Sequence, residues 1–301
     1  MRISTAQMFQ QQVTAMLEQQ VELARTEQQL ASGKRLVSAA DDPAASLRNL
    51  QLGDRLTQNE QYLKNLDAVQ GRLELEEGAL ASSVDLMQRV RELAVQALNG
   101  SLGPGELKTI EVEVRSQLDG LLAAANTQNA NGEFLFAGYQ VDTIPFSDDG
   151  SGNVTYNGDQ GQQHLQVSQT RQIAVADTGS SIFQGVNAAA GGITSSFDIL
   201  NDFADALAAG TVTGDTLADI DTAMDKMLAV RANVGSRLRV VDDQRGTNES
   251  FGLVLEKERA DLVDLDYAEA ISRFNQQLLA LQASEQVFAK VQGLSLFDYL
   301  G

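Results

Sequence analysis

The chain of 301 residues carries one histidine, His164. A Ser/His/Asp triad could be built only on it, and a metal site would lack a second imidazole. It falls in an alternating stretch, His164-Leu165-Gln166-Val167, that reads as an exposed hairpin strand, so a surface role fits it best. Gly33-Lys34 looks like the end of a phosphate-binding loop. However, Gln28 stands where the first glycine is needed, and a helix rather than a strand precedes it. Asp148-Asp149-Gly150-Ser151-Gly152-Asn153 has the flavour of a calcium loop. With Asp149 first, the sixth and twelfth places hold Val154 and Gln160 where Gly and Glu are required, so turn chemistry accounts for it better. Asp261, Asp264 and Asp266 could ligate a metal or move protons, but their spacing does not converge on one helix face. They read as solvated or intersubunit charges, with partners such as Arg259 or Arg273. No catalytic, cofactor-binding or metal-ligating residue is assigned.

A different pattern organises the chain. Near its start, Phe9, Met16, Leu23, Leu30 and Val37 fall every seventh residue. Near its end, Leu253, Ala260, Tyr267, Phe274, Leu281 and Phe288 do the same. A seven-residue apolar repeat winds one stripe along an α-helix and calls for a partner helix. The aromatics among these residues could line a ligand groove, but at helical spacing they belong to a core or interface. Two such stripes predict that the termini pair with each other or with copies of the same chain. These eleven residues are the candidate assembly interface.

Bulk composition agrees. Aromatics make up only 5%, tryptophan and cysteine are absent, and there are three prolines, which suits long helices better than an aromatic-rich enzyme core. The net charge is -19, from 41 acids and 22 bases. Between Glu133 and Gly235 there are 13 Asp/Glu against 3 Lys/Arg, a local balance of -10. Such a surface repels nucleic acid and disfavours anionic membranes. Without Cys, disulfides and thiolate metal sites are excluded. No basic-then-apolar signal peptide opens the chain; the first residues are Gln-rich. No apolar run is long enough to span a bilayer, so membrane insertion is not expected. A cytoplasmic location, or export without a cleaved signal, is the expectation.

The spacing predicts a helix from about Ala6 to Ser32, stopped by Gly33. Asp42 caps a second helix with Pro43 at its first position. That helix carries Leu66, Leu73, Leu80, Met87 and Ala94 and ends at Asn99-Gly100. A third follows Gly103-Pro104-Gly105, with Leu107, Ile110, Val114, Leu118 and Leu121 on one face. Helical periodicity then lapses until about Ile193. Asn157-Gly158, between Val154-Thr155-Tyr156 and His164-Val167, predicts a hairpin with a type I′ turn. Helix resumes at Ser196–Ala209. A last repeat, Ile220, Met227, Val234, Val241, Asn248, Leu255 and Leu262, predicts a rod to about Gln292, ~115 Å if continuous at ~1.5 Å per residue. Gly235, Gly246 and Gly252 are its weak points.

The expected fold is mainly α. Long terminal helices pair as a coiled-coil-like bundle, and a small β-rich insert sits at the tip. Residues 1–43 and 253–301 form the terminal helices, 44–132 and 196–252 the helical bundle, and 133–195 the β-rich insert.

Specific residues also resemble a known family. Met1-Arg2-Ile3-Ser4-Thr5, Leu30-Ala31-Ser32-Gly33-Lys34-Arg35-Leu36, Asp41-Asp42-Pro43-Ala44, Arg91-Glu92-Leu93-Ala94 and Asn126-Thr127 are similar to the N-terminal region of bacterial flagellins and their relatives. Asp264-Leu265-Asp266-Tyr267-Ala268-Glu269 resembles the C-terminal helix of that family. Gly132-Glu133-Phe134-Leu135-Phe136-Ala137-Gly138 and the ending Ser295-Leu296-Phe297-Asp298-Tyr299-Leu300 resemble the hook–filament junction branch, with Phe134 in place of the usual Tyr. The resemblance implies a non-catalytic flagellar subunit without cofactor, with its terminal helices in the inner tube and its middle facing outward. It implies copies of itself, the hook-side junction protein and flagellin as neighbours. It further implies an export chaperone, secretion through the flagellar type III apparatus to the extracellular flagellum, and termini that order on assembly. Filament flagellin is the alternative role. A ligand-binding or enzymatic module in the middle segment is a distant one.

Overall fold

The computed structural model describes residues 5–100, 102–150 and 152–300, with side chains described except at positions 5, 6, 8 and 291–300. In chain order the elements are α1 (Thr5–Ser32), α2 (Pro43–Leu98), α3 (Pro104–Ala125), β1 (Phe146–Asp148), β2 (Val154–Tyr156), β3 (His164–Gln166), β4 (Gln172–Ala174), α4 (Gly179–Phe183), β5 (Val186–Asn187), β6 (Ile193–Thr194), α5 (Ser196–Ala209), α6 (Gly214–Val263) and α7 (Tyr267–Leu300). The mainly α class with a small β-rich insert is as the sequence predicts. The chain divides into a terminal unit, Met1–Gln58 with Phe251–Gly301, and a central unit, Asn59–Ser250.

In the central unit, the sevenfold stripes form the core. Leu66, Leu73, Leu80, Met87 and Ala94 of α2 are all 0% exposed, as are Ile220, Met227, Val234 and Val241 of α6. Each large apolar side chain so buried contributes about 1.5–3 kcal/mol before ordering costs. The two helices run antiparallel, marked along their length by Arg91–Asp221 at 2.6 Å, Arg231–Glu77 at 2.7 Å and Arg245–Asp67 at 2.5 Å. These pairs are half exposed and add specificity more than stability. Helix α3 lays Ile110, Val114 and Leu121 into the same core and packs on α5. It opens with Pro104 at its first position, and the Glu106 carboxylate accepts from the Gly103 N–H at 2.8 Å. Helix α5 begins with a reciprocal cap between Ser195 and Asp198 and ends on Gly210 at φ +69°.

The insert consists of three antiparallel hairpins, and it corrects one expectation. Asn157-Gly158 does not turn β2 into β3. Instead β1 pairs with β2, Phe146 opposite Tyr156, and β3 pairs with β4, His164 opposite Ala174. No non-glycine residue among those described has positive φ, and Gly158 is not among the glycines that do. Asn157 continues the β1–β2 ladder, its N–H donating to the Pro145 carbonyl at 2.8 Å. Gly158 is required for space, because a Cβ there would lie 2.5 Å from the Tyr156 hydroxyl and 2.9 Å from the Ala137 carbonyl. The β1–β2 turn is the Asp148–Asn153 loop, where the Asp148 carboxylate accepts from the Gly150 N–H at 2.9 Å.

An aromatic cluster anchors this insert. The Phe146 ring sits 4.9 Å from Phe197, 5.5 Å from Phe183 and 5.1 Å from Tyr156, centroid to centroid. Phe136, edge-on to Phe183 at 5.7 Å, brings in the Glu133–Gly138 segment, so that motif is a core plug. The β3–β4 hairpin is tied to the helices at its tip. The polar break in the α6 stripe, Asn248, donates to the Val167 carbonyl at 3.0 Å, and Asn65 of α2 donates to the Gln166 carbonyl at 2.7 Å.

Helix α6 runs unbroken through Gly235, Gly246 and Gly252 and ends at Val263, and α7 starts at Tyr267, so the expected continuous rod is two helices. The break is made by a crossing with the end of α1. Gly33, at φ +68°, accepts from the Leu265 N–H at 3.0 Å, and the Arg35 N–H donates to the Val263 carbonyl at 2.7 Å. The Arg35 guanidinium adds a bond to the Leu262 carbonyl at 2.8 Å. Asp266 then caps α7, accepting from the Ala268 and Glu269 N–H groups at 2.9 and 3.2 Å. Asp261, Asp264 and Asp266 are exposed, as solvated charges are expected to be, and Asp266 has the added role of a cap. Arg259 bonds Asn49 at 3.2 Å, and Arg273 lies 3.9 Å from Glu269. Asp41 closes the α1–α2 loop by accepting from the Ser38 and Val37 N–H groups at 2.8 and 3.0 Å and pairing with Arg25 at 2.8 Å. The Ser38 bond foremost, followed by those of Val37 and Arg25, holds its carboxyl below the usual range. Asp42 caps α2 through the Ala45 N–H at 3.0 Å.

Two outcomes follow. Phe146→Ala empties the centre of the aromatic cluster and should cost about 3–5 kcal/mol in urea unfolding of the full chain; a loss below 1 kcal/mol on the same scale contradicts its central place. Gly33→Ala forces a side chain into left-handed backbone, with its Cβ 2.8 Å from the Tyr267 hydroxyl. It should loosen the crossing by about 1–2 kcal/mol, read as faster amide exchange at Arg35 and Leu265. Unchanged protection at those two amides contradicts the assignment.

Candidate assembly interface

Helices α1 and α7 pair antiparallel. Thr26 bonds Gln277 at 2.8 Å, Ser284 bonds Gln19 at 2.8 Å, and the Phe9 and Phe288 rings lie 5.0 Å apart. The contact seam has two rows. One is the apolar heptad: Met16, Leu23 and Leu30 on α1 and Phe274, Leu281 and Phe288 on α7. Leu281 is buried and the other five are half-buried. The second row is mostly polar: Gln12, Gln19 and Thr26 on α1, with Ala270, Gln277 and Ser284 on α7. Thr26 is 3% exposed and Ala270 fully buried. Gln29, also buried, donates to the Arg35 carbonyl at 2.7 Å and ties the seam to the crossing.

The eleven residues expected at the interface therefore divide. The six seam residues face the partner helix. Val37 and Ala260 are half-buried beside the crossing and along α6 respectively. Phe9, Leu253 and Tyr267 stay 43%, 68% and 52% exposed. Tyr267 lies over Gly33, its hydroxyl filling the space a Cβ would take. The sequence reading missed the polar row. Its signal was present, since Gln12, Gln19 and Thr26 share the sevenfold spacing, as do Ala270, Gln277 and Ser284. Only an apolar filter hid it.

The outward faces of the pair are apolar too. Leu17 and Val21 on α1 and Ile271, Leu279 and Val287 on α7 are each at least half exposed. On the helical segments beside the crossing, Leu47, Leu50, Phe251 and Val254 are also exposed. So many large apolar side chains in one unit exceed the scattered singles a free surface tolerates and mark a contact face. A groove of about 240 Å³ between α1 and α7, lined by Ala15, Met16, Val287 and Phe288, opens on that face. The buried Gln12 Oε1 and Arg273 Nε of this unit lack hydrogen-bond partners among the described residues.

His164 is exposed, with Nδ1 2.8 Å from the Gln162 carbonyl. The small cavity beside the insert, lined by Arg72, Gln163 and Asp177, measures about 10 Å³, space for one water at most. No helix of the described residues is long and apolar enough to cross a membrane.

Three of the motifs that resemble flagellins meet at the crossing, while Arg91–Ala94 and Asn126-Thr127 lie in the central unit. Gly33-Lys34-Arg35 and Asp264-Leu265-Asp266 form it, and Asp41-Asp42-Pro43 leads out of it. Met1–Ser4 and the side chains of Ser295–Leu300 lie outside the described residues. Residues 3–141 match the bacterial flagellin N-terminal helical region, and residues 217–300 match the bacterial flagellin C-terminal helical region. The chain is 32% identical to flagellar hook-associated protein 3 of Escherichia coli (strain K12), over 99% of each chain. It is 30% identical to the Salmonella typhimurium protein of that name, again over 99% of each. The crystal structure of flagellar hook associated protein-3 from Legionella pneumophila superposes with a TM-score of 0.67 at 21% identity, covering 70% of this chain and 98% of that one, a likeness of fold. With its terminal helices matched to flagellin and its whole length to hook-associated relatives, the chain belongs to the flagellar hook-associated protein 3 family.

Proposed function

We propose that this chain is a structural subunit of the bacterial flagellum that joins the hook, through the hook-side junction protein, to the flagellin filament, and that it catalyses no reaction. The observation that carries the reading is the α1–α7 pair, closed by its own seam yet apolar on its outward faces. A helix pair of that kind is complete only with neighbours packed around it. The full-length likeness to hook-associated protein 3 supports placing those neighbours at the junction rather than along the filament.

In this reading residues 1–43 and 253–301 form the inner tube, 44–132 and 196–252 the surrounding helical layer, and 133–195 the outward face. Phe9, Leu253 and Tyr267, exposed in the single chain, meet adjacent subunits. Met16, Leu23, Leu30, Phe274, Leu281 and Phe288 hold the pair in shape, while Val37 and Ala260 sit beside the crossing and along α6. The partners are copies of the same chain, the hook-side junction protein, flagellin, an export chaperone and the type III export apparatus, with secretion to the extracellular flagellum. The flagellin-type termini also fit a filament subunit. Self-assembly separates the two roles, because a filament subunit polymerises into long filaments and a junction subunit stops at a short layer.

Phe274→Asp or Leu281→Asp puts a charge into the seam and should leave a secreted, soluble monomer that does not join the axial structure. Normal filaments in such a strain contradict this interface. Deletion of the gene should leave hooks without filaments, with flagellin lost to the medium, as seen by electron microscopy. Short or absent hooks contradict the junction role.

A further inference from the structure

The β3–β4 hairpin and the strand that leaves it, ending at Asp177, lie as a strap on α2 and α6. Asn65 and Asn248 fasten its tip. Its base is fastened by an unusual group. Glu76 of α2 is 0% exposed, and one of its oxygens accepts from the Asp177 N–H at 3.0 Å. The other, Oε2, is buried without a hydrogen-bond partner among the described residues, and the Arg237 guanidinium of α6 stands 3.9 Å away. That guanidinium is committed to the Asp177 carboxylate and reaches the Ala174 carbonyl at 3.4 Å.

Two carboxyl groups thus share one cation, with Glu76 fully buried and Asp177 and Arg237 each 19% exposed. The other charges nearby on α2 are turned elsewhere, Arg72 towards Glu133 at 3.6 Å and Gln163 at 3.3 Å, and Glu77 to Arg231 at 2.7 Å. Asp177 is served twice, by Arg237 and by the Gln162 amide at 2.8 Å. Glu76 is left with a single backbone donor and an orphan oxygen, a position that suits a neutral acid and penalises an anion. A protonated Oε2 would be a donor beside the Asp177 carboxylate.

We propose that Glu76, Asp177 and Arg237 form a proton-operated anchor for the strap: a proton on Glu76 holds the segment 172–178 to α2 and α6, and losing it loosens the segment. Burial first, and then the charge of Asp177, pushes Glu76 up to about 8, against the pull of Arg237. When the strap opens, Glu76 returns to water and to an ordinary carboxylate value near 4.5. The closed form therefore holds a proton that the open form has released between those two values. Opening becomes easier as pH rises through that window and levels off above it.

The experiment is amide exchange of residues 172–178 in the full-length chain from pH 5.5 to 8.5, corrected for intrinsic exchange. In the native chain the opening constant should rise by up to tenfold per pH unit and flatten above about pH 8. Glu76→Gln keeps an acceptor for the Asp177 N–H and supplies a permanent donor. It should abolish the slope and leave these amides at least tenfold better protected at pH 8, with amides of α3 and α5 unaffected. Where Glu76→Gln disturbs the fold by circular dichroism, Asp177→Asn is read instead, since removing the like charge lowers the upper end of the window and should bring the plateau to lower pH. A native chain without a slope, or a variant whose slope and plateau match the native ones, overturns the proposal.

Discussion

The terminal unit depends on the crossing of Gly33 with Leu265. Two backbone hydrogen bonds, Leu265 N–H to Gly33 O and Arg35 N–H to Val263 O, fix where α1 ends and where the long C-terminal helical stretch breaks. Because they are backbone bonds, they set register without reference to side chains. The alignment of α1 against α7 follows from them, layer by layer, through Thr26–Gln277 and Gln19–Ser284 to Phe9 beside Phe288. Gly33 is needed twice, for its left-handed backbone and for the room it leaves to Tyr267. Residues far apart in the chain, Gly33–Arg35 and Val263–Leu265, are brought together at this one place.

The seam itself is built for alignment more than for strength. A wholly apolar heptad seam would bury more surface but would slide by seven residues at little cost. The Gln and Thr row on α1 and the Gln and Ser row on α7 tie two layers by side-chain hydrogen bonds, so a slipped register leaves buried polar groups unpaired. Such a pair is stable enough to be shaped in one way and still leaves apolar faces outward for neighbours. The central unit shows the opposite economy. Its stripes are fully buried, its aromatic cluster is closed, and its polar exceptions, Asn248 and Glu76, fasten the β3–β4 strap.

Much of this was legible in the chain because sevenfold periodicity survives folding. The α2 and α6 stripes land in the core, and the caps at Asp42, Pro43 and Gly33 act where their chemistry says they should. Three features were hidden for physical reasons. Asn157-Gly158 has the residues of a tight hairpin, but Tyr156 and the Ala137 carbonyl crowd Gly158, so its lack of a side chain serves packing rather than turning. The helix break at Asp264–Asp266 has neither glycine nor proline. It exists because a distant segment takes the Leu265 N–H away from the helix ladder. Three glycines in α6 looked weaker and are not, since the helix runs through all of them. The polar row of the seam was missed because heptad reading looks for apolar residues.

Pairing of α1 with α7 inside one subunit is the claim on which the account turns. The chain has no cysteine, so a Thr26→Cys, Gln277→Cys variant carries two unique thiols at positions bonded across the seam. A short thiol cross-linker applied to assembled flagella should join them within one subunit, giving a compact monomer band on a denaturing gel. Cross-links that run only between subunits, giving a ladder with no internally closed monomer, would contradict it.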